Sequence, residues 1–256
     1  MNTALYRNEI RRMTRTHSLT GLLVFFAFFG AASPLLAFLL PDLMAAMEGV
    51  EGVQPGMSGL LPEATPVAAI GSYVENAQTL GVLFVLLVAA AGLALDGSPG
   101  RSTFYRVRVF GPTALVLPRF AVPAAAAVAS YTVGVLVAWA VTLLLIGELP
   151  LGATLAGALF TGLFLVFAVA VTALVASRFR GLPSTVGFSV VALVLLLLLG
   201  QLPVVGEWSP TTLVAAQAAL PGGVPAADFL PAAVSALVGT AVLLALAVRG
   251  FGSRET

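Results

Sequence analysis

Side chains able to bind phosphate, hold a metal or attack a carbonyl are few in this 256-residue chain, and their types exclude whole mechanisms. All twelve basic residues are arginine, cysteine is absent, and His17 is the one histidine. Without lysine there is no phosphate loop ending in Gly-Lys-Ser/Thr and no Schiff-base amine. Without cysteine there is no disulfide, thiolate nucleophile, iron–sulfur cluster or thiolate-bound zinc. One histidine builds neither a His-Glu-x-x-His zinc site nor a multi-histidine one. No Ser/His/Asp set or carboxylate pair is visible, so no catalytic, cofactor or metal residue is assigned and the chain does not read as an enzyme. Its work, whatever it is, reads as powered from elsewhere.

What remains is arginine in short groups. Between Ala4 and His17, Arg7, Arg11 and Arg15 recur at i, i+4 and i+8, while Tyr6, Ile10 and Met13 share another stripe. The spacing predicts an amphipathic helix in a membrane interface, arginines toward lipid phosphates and the apolar stripe in acyl chains. A plain basic anchor would need the charges but not the periodicity. His17, at the end of this stretch, reads as an interfacial residue. Asp96–Arg119 carries Arg101, Arg106, Arg108 and Arg119 with Phe104 and Tyr105. Gly97, Pro99 and Gly100 on one side and Gly111 and Pro112 on the other frame a short central element. It reads equally as a basic loop against lipid head groups or as a docking element for a cytoplasmic partner.

The acids lie elsewhere. Pro41–Asn76 is a Gly- and Pro-rich acidic loop, with Ala64–Val74 as its candidate helical part. Its spacing lacks the calcium-loop pattern, so it reads as solvated exterior. Further on, the apolar stretch Pro210–Leu220, which contains Leu213 and Gln217, is closed by Pro221. About 11 residues cannot cross a bilayer. The stretch predicts a re-entrant or interfacial helix dipping in from outside.

The elements that must carry these segments follow from composition. The chain is 59% hydrophobic and 9% charged, with a mean hydropathy of +1.06, against roughly 25% charged in soluble domains. Membrane spans need about 20 apolar residues, and six charge-free stretches qualify: about 19–40, 77–95, 120–146, 149–177, 182–202 and 229–248. They predict an all-α integral membrane protein, one transmembrane domain over 1–256, because the stretches are too long for barrel strands. The first stretch exceeds the roughly 7–15 apolar residues of a signal peptide, so it reads as a span. Pro34 and Pro123 predict kinks or boundaries. Glu75, Asn76 and Gln78 are placed at the outer mouth of the second span. Ser130/Gly134 and Ala158/Gly162 have the spacing that permits close helix contact. With no ionisable side chain inside a span, no proton or ion relay is visible.

Charge orients the bundle. The arginines before span one, between spans two and three, between four and five and after six all fall on one side. Offset by Glu9, Asp96 and Glu255 they leave +9, and the eight acids of the other side leave −8, summing to the net +1. The arginine-rich side is expected to be cytoplasmic, and both termini with it.

Six spans with both ends inside, an N-terminal interfacial helix, a long inner loop after span two and a hydrophobic hairpin before span six make a pattern. It resembles the permease subunit of ABC transporters of the type-2 exporter class. That family has an acid soon after span two, a Gly-containing turn, a short apolar helix and a basic residue entering span three. Asp96, Gly100, the Phe104–Leu117 stretch and Arg119 occupy those places; the Pro-Val-Ser-Arg-like segment is replaced by Arg-Val-Phe-Gly-Pro. The resemblance implies separate cytoplasmic ABC ATPase subunits holding ATP and Mg, a second permease copy, and 96–119 as the ATPase-coupling loop. It implies a multi-pass protein of the cell membrane that contacts lipid and no nucleic acid. An uncharged lumen suits an amphipathic or lipid-like substrate. Two other readings stand beside it: a non-transporting scaffold or assembly protein, and a secondary carrier using neutral polar groups.

Overall fold

The computed structural model describes residues 3–47, 65–93, 111–179 and 181–253, and among these every regular element is helical. Helix α1 (Thr3–Arg15) precedes α2 (Ser18–Met47), α3 (Pro66–Leu93), α4 (Pro112–Leu145), α5 (Leu151–Ala176), α6 (Leu182–Leu199) and α7 (Leu230–Gly252). Helices α2 to α7 are the six long and apolar enough to cross a membrane. Between α6 and α7 the chain makes only short turns, at Pro203–Gly206, Pro210–Val214, Ala216–Ala219 and Ala226–Phe229.

Local chemistry sets the boundaries. His17 turns the chain from α1 into α2 in the left-handed region, at φ 56°, a conformation that histidine tolerates better than most residues. Thr65 caps α3, its hydroxyl accepting from the Ala68 amide at 3.2 Å, and Pro66 opens the helix. Gly111, at φ 93°, leads into Pro112 at the start of α4.

Three spans outrun their expected bounds. Helix α2 continues through Pro34 and Pro41 to Met47, so neither proline marks its end. Helix α3 begins at Pro66 rather than about residue 77: residues 66–76 continue into the span through one wide π-turn, Ala77–Gly81. Helix α4 begins at Pro112, so residues 112–119 are helical rather than loop, and Pro118 and Pro123 lie inside it.

Helix α5 is the centre of the bundle. About 67% of its apolar window is buried, against 17% for α6, because α5 is touched by α3, α4, α6, α7 and the turns at 210–219. The tightest crossing joins α2 to α4, where Gly30 faces the Gly134 backbone and Gly134 faces the Phe26 carbonyl. Small residues let helix backbones approach in lipid, where apolar burial drives no association. The helix ends are gathered into two groups. Glu9 and Arg12 of α1 lie on Gly92 near the end of α3; Gly250 and Gly252 of α7 lie on Ser177 and Pro112. At the opposite end, Pro66 and Val67 of α3 meet Gly147 and Gly222.

Candidate functional site

At the arginine-rich end, α1 rests on α2 and α4. Its buried side is Glu9 with Met13; Ile10 is exposed, so the expected Tyr6/Ile10/Met13 stripe is divided between protein and surroundings. The reason is an ion pair. Glu9 accepts from Arg12 Nε at 2.8 Å and Nη2 at 2.5 Å, which allows a carboxylate to be buried on Gly92 of α3. Arg7, Arg11 and Arg15 are exposed. Arg119, expected on the coupling loop, is buried two turns into α4 and lines a small cleft with Leu5, Asn8 and Glu9 of α1. Asp96, Gly100, Arg101, Phe104, Arg106 and Arg108 lie outside the described residues.

The opposite end is organised by the turns at 210–219. The expected single helix is two short turns, Pro210–Val214 and Ala216–Ala219, seated on α5, with Ala216–Ala219 also against α3. Pro210, Leu213 and Gln217 are buried, and Pro221 is half-buried. Gly157 of α5 makes the seating possible, since a Cβ there would stand 2.7 Å from Gln217 Cα. Gln217 donates to the Thr154 carbonyl at 3.1 Å and accepts from the Tyr131 hydroxyl at 3.5 Å. The Thr161 hydroxyl donates to the Leu213 carbonyl at 3.4 Å. Tyr73 of α3 stacks on Tyr131 and donates to its carbonyl at 3.3 Å. These bonds give buried polar atoms partners that lipid could not supply. The other span hydroxyls mostly bond their own helix: Thr132 to Val128, Thr172 to Ala168 and Ser189 to Thr185.

Between α3, α5 and α6 lies a cleft of about 330 Å³. Helix α3 contributes Gln78, Thr79, Val82, Leu83 and Leu86; α5 contributes Phe164. Val190, Leu193, Val194 and Leu197 form its α6 wall, one stripe at helical spacing, and Thr211 closes it from the turns. Gln78 and Thr79 lie at the N-terminal end of the cleft's α3 wall and Thr211 belongs to the turn at 210–214 that follows α6, so the three polar residues stand at the end away from the arginines. Two features open this space. The π-turn at 77–81 widens α3 where Gln78 and Thr79 lie, a distortion often found at functional sites. Helix α6, in turn, touches only α5 and the inner half of α3 to any extent. Among the described residues no charged side chain lines the cleft.

Sequence reasoning missed this cleft. It placed Gln78 at a helix mouth and left Thr79, Thr211 and the α6 stripe unmarked. Because α6 is apolar on every face from Val190 to Leu199, no periodicity distinguishes its cleft face from its exposed face there. Among the described residues no group of three His, Asp or Glu side chains could hold a metal. Neither a family model, nor a characterised protein, nor a solved structure matches the chain.

Proposed function

We propose that the chain is the membrane-spanning permease subunit of an ATP-driven exporter of the cell membrane, acting on an amphipathic or lipid-like substrate with a separate ABC ATPase. The observation that carries the reading is the cleft between α3, α5 and α6, whose uncharged apolar wall ends in three hydrogen-bonding side chains. Ligand pockets of about this size are mostly apolar with a few placed polar groups. A polar end joined to an apolar body matches a molecule of the same division. A phosphate loop is absent from the sequence, which favours an external source of energy over a self-powered pump.

In this reading the arginine-rich end faces the cytoplasm, and α1 and the segment 96–119, whose last eight residues are the start of α4, transmit closure of the ATPase to α3 and α4. Helix α1 is coupled to both by Glu9–Arg12 on Gly92 and by the cleft it shares with Arg119. The turns at 210–219 dip into the outer face and anchor there through Gln217.

Affinity purification of the tagged chain from its native membrane should recover an ATPase subunit in stoichiometric amount. In proteoliposomes the pair should move a fluorescent single-chain lipid only when ATP is supplied. Purification without an ATPase would overturn the reading. Movement that persists without ATP under an ion gradient would make the chain a carrier, and no movement under either condition would favour a scaffold.

A further inference from the structure

We infer that the cleft takes a cationic single-chain amphiphile, its alkyl chain lying between α3, α5 and α6 and its ammonium head against Glu75. This rests on reading the cleft as the substrate site, and it names the substrate's class.

The tail is argued from size. From Gln78 to Leu86 the cleft follows α3 for eight residues, about 12 Å at the helical rise. That is most of one leaflet of a hydrocarbon layer roughly 30 Å thick. A volume of about 330 Å³ lies at the small end of ligand pockets. Such a space holds one extended chain rather than the paired chains of a bilayer phospholipid. The wall from Val82 to Leu86 and from Val190 to Leu197 offers that chain no polar group.

The head is argued from charge. Gln78, Thr79 and Thr211 offer an amide and two hydroxyls but no ion; the Thr211 hydroxyl already shares a hydrogen bond with Ser209 at 2.8 Å. Glu75 lies four residues before Thr79 on the same helix, farther out by about one turn of rise. Glu75 is exposed and pairs with no cation among the described residues. Glu75 belongs to the same continuous helix as the cleft wall, which runs from Pro66 to Leu93, and stands just beyond Gln78 and Thr79 at the cleft's polar end. The other described charges toward this end are also acidic: Asp42, Glu148, Glu207 and Asp228. An anionic head at the polar end of the cleft would meet a field of its own sign, and an ammonium would meet the opposite.

The test uses binding alone, with the full-length chain in phosphatidylcholine nanodiscs and no ATPase. Dodecylamine, dodecanol and dodecyl phosphate, each with a photoreactive diazirine at the chain end, are added in turn, and labelled peptides are mapped by mass spectrometry. The amine should label the cleft segments of α3, α5 and α6 about fivefold more than the alcohol, the scale of a solvent-accessible ion pair, and the phosphate least. Glu75→Gln should bring the amine down to the level of the alcohol. Val194→Phe, at a half-exposed wall position, should reduce labelling by all three, and Gly187→Ala, in open space on the same helix, should change none.

Equal labelling by the three heads, strongest labelling by the phosphate, or an amine advantage surviving Glu75→Gln would overturn the inference. Its failure is separable from that of the transport reading. Selective amine binding without ATP-driven movement leaves the site standing, and ATP-driven movement of a neutral or anionic lipid leaves the transport standing without this head group.

Discussion

Replacing Gly134 by alanine tests whether the α2–α4 crossing holds the tyrosine cluster in place. A Cβ at Gly134 would stand 2.6 Å from the Phe26 carbonyl oxygen and 2.9 Å from its carbon, and would collide with the Tyr73 hydroxyl. Ordinary contact begins at 3.4 Å, so the helices must part by about 0.8 Å against backbone, which cannot rotate aside as a side-chain end can. Overfilling a well-packed interface costs about 1–3 kcal/mol, and loosening the Tyr73–Tyr131 hydrogen bond adds about 0.6 kcal/mol, the average for such bonds in membranes. Against this, alanine gains up to about 1 kcal/mol over glycine within a helix. The net loss should be about 2 kcal/mol. Gly187→Ala provides the control, since nothing stands within 4 Å of its Cβ and only the gain applies. Gly162→Ala should fall between them, its Cβ meeting a Val128 methyl at 3.2 Å. Reversible unfolding in bicelles, followed by steric trapping, measures all three. If Gly134→Ala were as stable as Gly187→Ala, the crossing would not be close in the folded protein and the reasoning would fail.

Gln217→Leu removes the bonds to Thr154 and Tyr131 and should cost about 1–2 kcal/mol; in this cysteine-free chain it should also speed thiol labelling of an added Ala218→Cys, and an unchanged rate would count against the anchor. Gly157→Val places a side chain 2.7 Å or less from the Gln217 backbone, so it should lift the turns off α5 and raise their hydrogen-exchange rates at least about tenfold, the scale of 1.4 kcal/mol. Glu9→Ala leaves Arg12 without its partner and should free α1, seen as faster motion of a spin label at Ile10→Cys. Arg106→Glu combined with Arg108→Glu should weaken ATPase association while leaving membrane insertion intact; unchanged association and ATP hydrolysis would remove the coupling role from these residues.

The number of spans was legible because each is a long run without charge, and lipid imposes that rule on every crossing helix. Their ends were less so. Hydropathy stops at the first charged or polar residues, whereas helices stop where backbone hydrogen bonds run out, and the two differ at α2, α3 and α4. Residues 66–76 contain Ser72, Glu75 and Asn76 and read as exterior with a helical part at 64–74; Thr65 and Pro66 give a well-formed helix start that runs on into the span. At α4 the proline at 112 begins a helix in the middle of a segment read as loop, and Arg119 is buried because α1 covers it. That cover depends on His17 turning the chain back, a conformational fact without a signature in residue spacing.

The candidate site was hidden for the same reason that its chemistry is selective. A cleft between three apolar helices leaves no hydrophobic pattern to read, because α6 is apolar on every face from Val190 to Leu199. Only its rim differs, and the rim is assembled from Gln78 and Thr79 on a π-turn and Thr211 more than a hundred residues later. Sequence spacing puts Glu75 and Gln78 together at the mouth of a span; the helix from Pro66 turns that mouth into one continuous segment running into the cleft wall. The same boundary therefore decides two readings at once. If residues 66–76 are helix, an acid stands one turn above an uncharged cleft and gives it a preferred sign; if they are loop, the cleft has no charge to choose with. Circular dichroism cannot separate these in a largely helical protein. A spin-label pair at Ser72→Cys and Gly222→Cys can, because the contact of Gly222 with Val67 fixes a single short distance only when 66–76 are folded onto the turns.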